Sequence, residues 1–307
     1  MSRMKRVAVL RGGAGNGYDS SMLTGNAVLS ALVDSVYPYR DITITRSGDW
    51  LSAGKRLTPS QALEGIDVVF VALQGGLVEN SPIQRILEQK GIPYTGSRVL
   101  AAGFAQNKEL AKHTMRAAGV HTPKHRRIGQ SEKHDIQSEL EQIILDLGLD
   151  LYIKPLCSRS PHTYRSVSEA KELERNLVEM LDMYDDLLVE QKVVGTSAQV
   201  GILENYRNQN FYTFPASELE HDYIRTNRFS ETTKNELARV AELAHSTIGC
   251  SQYSLIDLLV HRDEVFFLKI DSHPELTATQ HYASAAESVG LSHKDLIYHL
   301  IETASWK

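Results

Sequence analysis

Residues 67–73, Asp67-Val-Val-Phe-Val-Ala-Leu73, are apolar at every position after the first. A strand without polar–apolar alternation has no face to give to water, so it belongs in a sheet covered on both sides. The flanking sequence supplies the cover. Residues 6–10 read as another buried strand, and residues 20–33 as a helix with Met22, Leu23, Val28, Leu29 and Leu32 available for an apolar face. Residues 42–45 read as a further strand. Residues 82–90 open on Pro82, which suits a first helical turn, and residues 92–96 give a short strand and turn. This alternation predicts an α/β fold, a parallel doubly wound sheet over residues 1–95. Ligands of such sheets sit at the C-terminal ends of the strands.

Beyond residue 107 the pattern changes. Helices are predicted over 107–118, 132–147, 168–183 and 232–248, three of them closed by Gly119, Gly148 and Gly249. Strands are predicted over 151–154, 187–191 and 197–203. Two late strands, 253–260 and 265–271, flank His261-Arg-Asp-Glu264, a hairpin-length turn. Helical segments follow from His281. The second half therefore reads as α+β with antiparallel pairs.

Composition narrows the function classes. Thirty-three basic and 38 acidic residues give a net charge of −5, which is no nucleic-acid footprint. The longest apolar runs are too short to span a bilayer. MSRMKRVAVLRGG carries a short apolar stretch before Arg11 and reads as a first strand rather than a signal peptide. Cys157 and Cys250 build no disulfide framework. The expectation is a reduced, cytoplasmic protein with no membrane or nucleic-acid partner. Lys124-His-Arg-Arg127 reads as a solvated connector, and the histidines have no zinc-ligand spacing.

Three constellations carry candidate chemistry. Gly12-Gly-Ala-Gly-Asn-Gly17 links a strand to a helix and could present N–H groups to an anion, or simply make a tight turn. Its glycine spacing fails the dinucleotide fingerprint, which argues against an oxidoreductase. Lys108 opens a helix, Lys154 ends a strand with Tyr152 on the same face, and Glu190 ends another strand. Together they could hold a nucleotide, with ammonium groups on phosphates and the carboxylate on a sugar hydroxyl. As isolated residues they read more simply as three solvated surface side chains. Asp257 and Asp271 lie on the two late strands and suit Mg²⁺ beside phosphates, or an ion pair. Lys269 shares a face with Asp271 and competes with a metal there.

The order of VAVLRGG, FVALQGG, GIPYTGSRVLAAGFAQNK, YIKP, LLVEQKVVG, SLIDLLV and FFLKIDSHPELT resembles the D-alanine–D-alanine ligase family of ATP-grasp enzymes over nearly the whole chain. The most specific stretch is residues 91–108. The resemblance implies three domains, residues 1–95, 96–185 and 186–307, with ATP gripped between the second and third. It implies phosphate contacts from Lys108, Lys154 and Ser160, a ribose contact from Glu190, and an adenine-pocket position at Val193. It places metal ligands at Asp257 and Asp271 and a substrate contact at Glu79. ATP is the implied cofactor, Mg²⁺ a second one that Lys269 opposes, and a homodimer the implied assembly.

Departures from the family pattern fall on catalytic positions. The phosphate-covering loop reads Lys154-Pro-Leu-Cys-Ser-Arg-Ser-Pro-His-Thr163, where Pro161 removes an N–H donor. Lys269 stands where the family has a metal-binding glutamate, Leu255 where it has an arginine, and Gly17 where it has a substrate-binding glutamate. Residues 211–231 are too few for the family's substrate-covering loop. Two functions follow from the resemblance. One is ATP-dependent carboxylate–amine ligation through an acyl-phosphate on a small amino acid or carboxylate, with weak or altered activity. The other is a non-catalytic pseudoenzyme of the same fold that binds a nucleotide or a protein partner.

Overall fold

A computed structural model of the chain describes residues 4–15, 17–74, 82–157, 163–220, 223–226 and 229–305. Three sheets organise them. The first contains β1 (Val7–Gly12), β2 (Tyr39–Ile44), β3 (Trp50–Ser52), β4 (Lys55–Leu57) and β5 (Val68–Val71), in the order β4-β3-β2-β1-β5. β1 pairs in parallel with β2 and β5, as the continuous apolar runs require, and β5 is buried throughout. α1 (Tyr18–Val33) packs Val28 and Leu32 on one face. α2 (Pro59–Ala62) and α3 (Pro82–Gln89) contribute Ala62, Ile83 and Leu87 to the core on the other. The antiparallel β3–β4 hairpin escapes hydropathy because each of its strands is only three residues long. Turn geometry makes it, with Ala53 and Gly54 both at positive φ.

The next elements are α4 (Val99–Gln106), α5 (Lys108–Ala117), β6 (His125–Gly129), α6 (Ile136–Leu147), β7 (Leu151–Pro155), β8 (Arg165–Val167), α7 (Ala170–Leu181) and β9 (Asp186–Gln191). The four strands form an antiparallel sheet, β6-β9-β7-β8, with α6 and α7 closing its core around Ile143, Leu151, Leu177 and Val189. Lys124–Arg127, expected as a solvated connector, instead enters β6. Arg126 pairs with Glu139 and Arg127 with Asp186, so the strand's charges are neutralised in place.

The third sheet is built from β10 (Thr196–Tyr206), β11 (Gln209–Thr213), β12 (Ser217–Glu220), β13 (Tyr223–Thr226), β14 (Tyr253–His261) and β15 (Glu264–Asp271). α8 (Glu231–Ile248) covers it, capped by Ser230, which accepts from Thr233 N–H, and ended by Gly249 in the left-handed region. The β14–β15 turn places Arg262 and Asp263 at positive φ, the primed geometry that matches strand twist. α9 (His281–Ser288) and α10 (His293–Thr303) return to the first sheet, where Leu300 and Ile301 share a core with Val9, Phe70 and Leu203.

The cores do not follow the covalent order. β9 hydrogen-bonds with β6 and β7, so a boundary at residue 186 cuts that strand away from its own sheet. α4 and α5 bury Ala105, Ala111 and Met115 in the core of the third sheet. Among the described residues no helix is long and apolar enough to cross a membrane.

Candidate nucleotide site

A cleft of about 290 Å³ opens between the second and third sheets. β7 contributes Tyr152 and Lys154, β9 contributes Glu190, and the linker 192–195 borders it. β10 and β14 supply Ser197 and Leu259 from the opposite side.

Glu190 is directly opposite Tyr152 in the β7–β9 ladder, and Lys154 follows two residues after Tyr152, so all three project from one face. Lys154 Nζ lies 2.6 Å from Glu190 Oε1 and 5.3 Å from the Tyr152 ring centroid. Lys112 Nζ lies 2.7 Å from Glu190 Oε2. Glu190 is 2% exposed, Lys112 1% and Lys154 23%, so one buried carboxylate bridges two ammonium groups of unequal access. Burial pushes the Glu190 carboxyl up, but Lys112 and Lys154 together outweigh it and hold the group at about 2. Burial pulls the Lys112 ammonium below the ordinary lysine value; Glu190 opposes that shift and Lys154 adds to it.

Lys112 escaped the sequence reading. Its signal was present: Lys108, Ala111, Lys112 and Met115 stand at i, i+3, i+4 and i+7, the buried stripe of α5. A lysine on such a stripe needs a buried anion, and Glu190 is that anion. Lys108 lies on the same stripe. Its Nζ donates to the carbonyls of Pro155 at 3.0 Å and Leu156 at 3.2 Å, beside Lys154 at the end of β7. Asn107 caps the helix by accepting from Leu110 N–H.

The three residues expected to meet, Lys108, Lys154 and Glu190, thus gather around the end of β7, and Val193 borders the same cleft. Both Glu190 oxygens face ammonium groups, so any hydroxyl reaching this carboxylate would share it with Lys112 and Lys154. Ser160 and Glu79, with Arg159 and Pro161, lie outside the described residues. Cys157 is exposed. Two amides at the end of β1 are spent internally: Gly12 N–H donates to Ser21 Oγ and Gly13 N–H to the Ile44 carbonyl. Those amides serve the turn.

On the third sheet, Gln199, Asp257 and Lys269 stand opposite one another across β10, β14 and β15. Gln199 Nε2 donates to Asp257 Oδ1 at 2.7 Å, and Lys269 Nζ lies 3.1 Å from Asp257 Oδ2. Asp271 Oδ1 accepts from His273 N–H at 2.8 Å. Magnesium requires close to six oxygen ligands at about 2.0–2.1 Å, one or two of them carboxylate. Here both Asp257 oxygens are held by nitrogen donors, one of them cationic. Among the described residues no group of three or more His, Cys, Asp or Glu side chains could hold a metal ion. As placed, Asp257 offers no open carboxylate oxygen to a cation.

Residues 114–302 match the family model described as D-ala D-ala ligase C-terminus. The D-alanine–D-alanine ligase of Pelobacter propionicus is 30% identical over 315 residues, covering 98% of this chain and 96% of that protein. That of Pelotomaculum thermopropionicum is 30% identical over 320 residues, covering 97% and 96%. Among solved structures, the VanG D-Ala:D-Ser ligase from Enterococcus faecalis superposes with a TM-score of 0.86 at 22% identity, covering 99% of this chain and all of that one. The Bacillus anthracis D-alanine–D-alanine ligase complexed with ATP gives 0.80 at 22%, covering 98% and 96%. The shared architecture is the ATP-grasp fold. A family model spanning most of the chain, and end-to-end relatives at that identity, establish that this chain belongs to the D-alanine–D-alanine ligase family.

Proposed function

We propose that this chain is an ATP-dependent carboxylate–amine ligase of the D-alanine–D-alanine type, working in the cytoplasm as a homodimer on small amino acids for peptidoglycan. The observation that carries the proposal is the Lys112–Glu190–Lys154 triad on one wall of an open cleft between two sheets. The base lies against Val193 and the linker, and Tyr152 closes its edge. The phosphates run past Lys154, whose ammonium keeps some access to solvent while Glu190 fixes its position. Lys108 braces the end of β7. ATP supplies the leaving group: a carboxylate oxygen of the first amino acid attacks the terminal phosphorus and ADP departs. The amine of the second then attacks the acyl carbon, phosphate leaves, and the amine loses a proton.

Leu255 stands opposite Asp271 in the β14–β15 ladder, an apolar side chain beside the charged row. One missing donor to developing charge costs about 2.7–4 kcal/mol of barrier. Turnover is therefore slow or redirected to another substrate pair. The same position favours a second reading, a non-catalytic member that binds nucleotide. Calorimetric titration with ATP and ADP tests the shared part: Lys154→Ala should weaken ATP by at least about tenfold. Unchanged binding in that variant sinks the proposal. Phosphate release on addition of D-alanine or related amino acids separates the ligase from the non-catalytic member.

A further inference from the structure

The row Gln199–Asp257–Lys269 shares its sheet face with the cleft. Ser197 and Leu259 line the cleft, and each is two residues from a member of the row, Gln199 and Asp257. Residues two apart on a strand face the same side, about 7 Å along. A phosphate chain leaving the cleft along β10 and β14 therefore passes over this row. The charge it meets there is not that of an open carboxylate pair. Asp257 is 18% exposed and held from both sides, by the Gln199 amide and the Lys269 ammonium, whereas Lys269 is 40% exposed. The accessible charge on the row is the cation.

We propose that this chain binds its nucleotide without a divalent metal ion, the Lys269 ammonium supplying the positive charge that faces the polyphosphate. The proposal rests on the nucleotide reading of the cleft. An ammonium is a compact charge with three rotatable donors on a flexible stem, so Lys269 can turn to a phosphate oxygen. Gln199 continues to hold Asp257 Oδ1 when it does. A magnesium ion reaching Asp257 Oδ2 must instead displace Lys269 from it and then sit beside that ammonium, like charge against like. With Lys154 on the facing sheet, the phosphates lie between two lysines from two sheets.

The test is calorimetric titration of the full chain with ATP, once in EDTA and once in magnesium chloride. The two dissociation constants are expected to agree within about threefold. Tightening by more than about tenfold in magnesium overturns the inference and leaves the nucleotide reading standing. Absence of binding in both media overturns the nucleotide reading, and this inference with it. In Lys269→Glu, affinity in EDTA should fall by at least about tenfold and magnesium should restore it. Lys269→Gln, uncharged and close in size, should weaken binding in both media with no rescue by magnesium. Either variant binding ATP in EDTA as tightly as the unaltered chain overturns the assignment to Lys269. Thermal melts in both media confirm that the variants are folded.

Discussion

Replacing Lys112 by methionine tests how the cleft is built. Methionine keeps most of the volume and removes the charge. Glu190, 2% exposed, is then left with Lys154 alone, where before each oxygen faced an ammonium within 2.7 Å. Removing one partner of a buried ion pair costs about 3–5 kcal/mol, and the surviving Lys154 pair puts the loss near the lower end, about 3 kcal/mol. That is roughly a hundredfold in the folded-to-unfolded ratio. An unfolding entropy of about 2.1 cal/mol/K per residue over 307 residues converts it to a melting shift of about 5 °C if the chain unfolds as one unit. Urea denaturation and calorimetric melts read both quantities. ATP affinity should also fall, because the carboxylate now draws on Lys154 only. The double variant Lys112→Met with Glu190→Leu should recover more than half of the lost stability, since an apolar pair carries no unpaired charge. A loss below about 0.5 kcal/mol in Lys112→Met, or a double variant as unstable as the two single losses together, would refute the bridging role of Glu190.

Three further outcomes can be checked. Glu190 titrates at about 2 in the folded chain against an ordinary 4.5, a depressed carboxylate, so its stabilisation is complete above 4.5 and is lost as pH falls from there towards 2. Urea stability should decline across that window, and Glu190→Gln, which never carries the charge, should show a shallower decline. Cys157 is exposed, whereas burial pushes the Cys250 thiol up to about 12. A thiol reagent at neutral pH should therefore modify one cysteine in the native protein, Cys157, and two only after denaturation. Gly12 sits at φ +86° with the Ile44 carbonyl oxygen where a Cβ would be. Gly12→Ala should then destabilise the chain by at least about 1 kcal/mol in the same melts, and a neutral result would mean that the turn relaxes freely.

Much of the scaffold was written in local pattern. The uninterrupted apolarity of β5 announced a sheet covered on both faces, and Gly148 and Gly249 announced the ends of α6 and α8. Alternation placed Tyr152 and Lys154 on one face of β7, and the β14–β15 turn stood where its length required. These features depend on spacings of two to four residues along the chain, which the order of amino acids specifies directly. Folding alone decided that β9 joins β6 and β7, that Lys112 is driven into the interior against Glu190, and that the Gln199 amide holds Asp257. Each of those outcomes unites segments tens of residues apart. The value of a charge depends on its depth from water and the distance to its partner, and neither exists until the sheets have closed on one another.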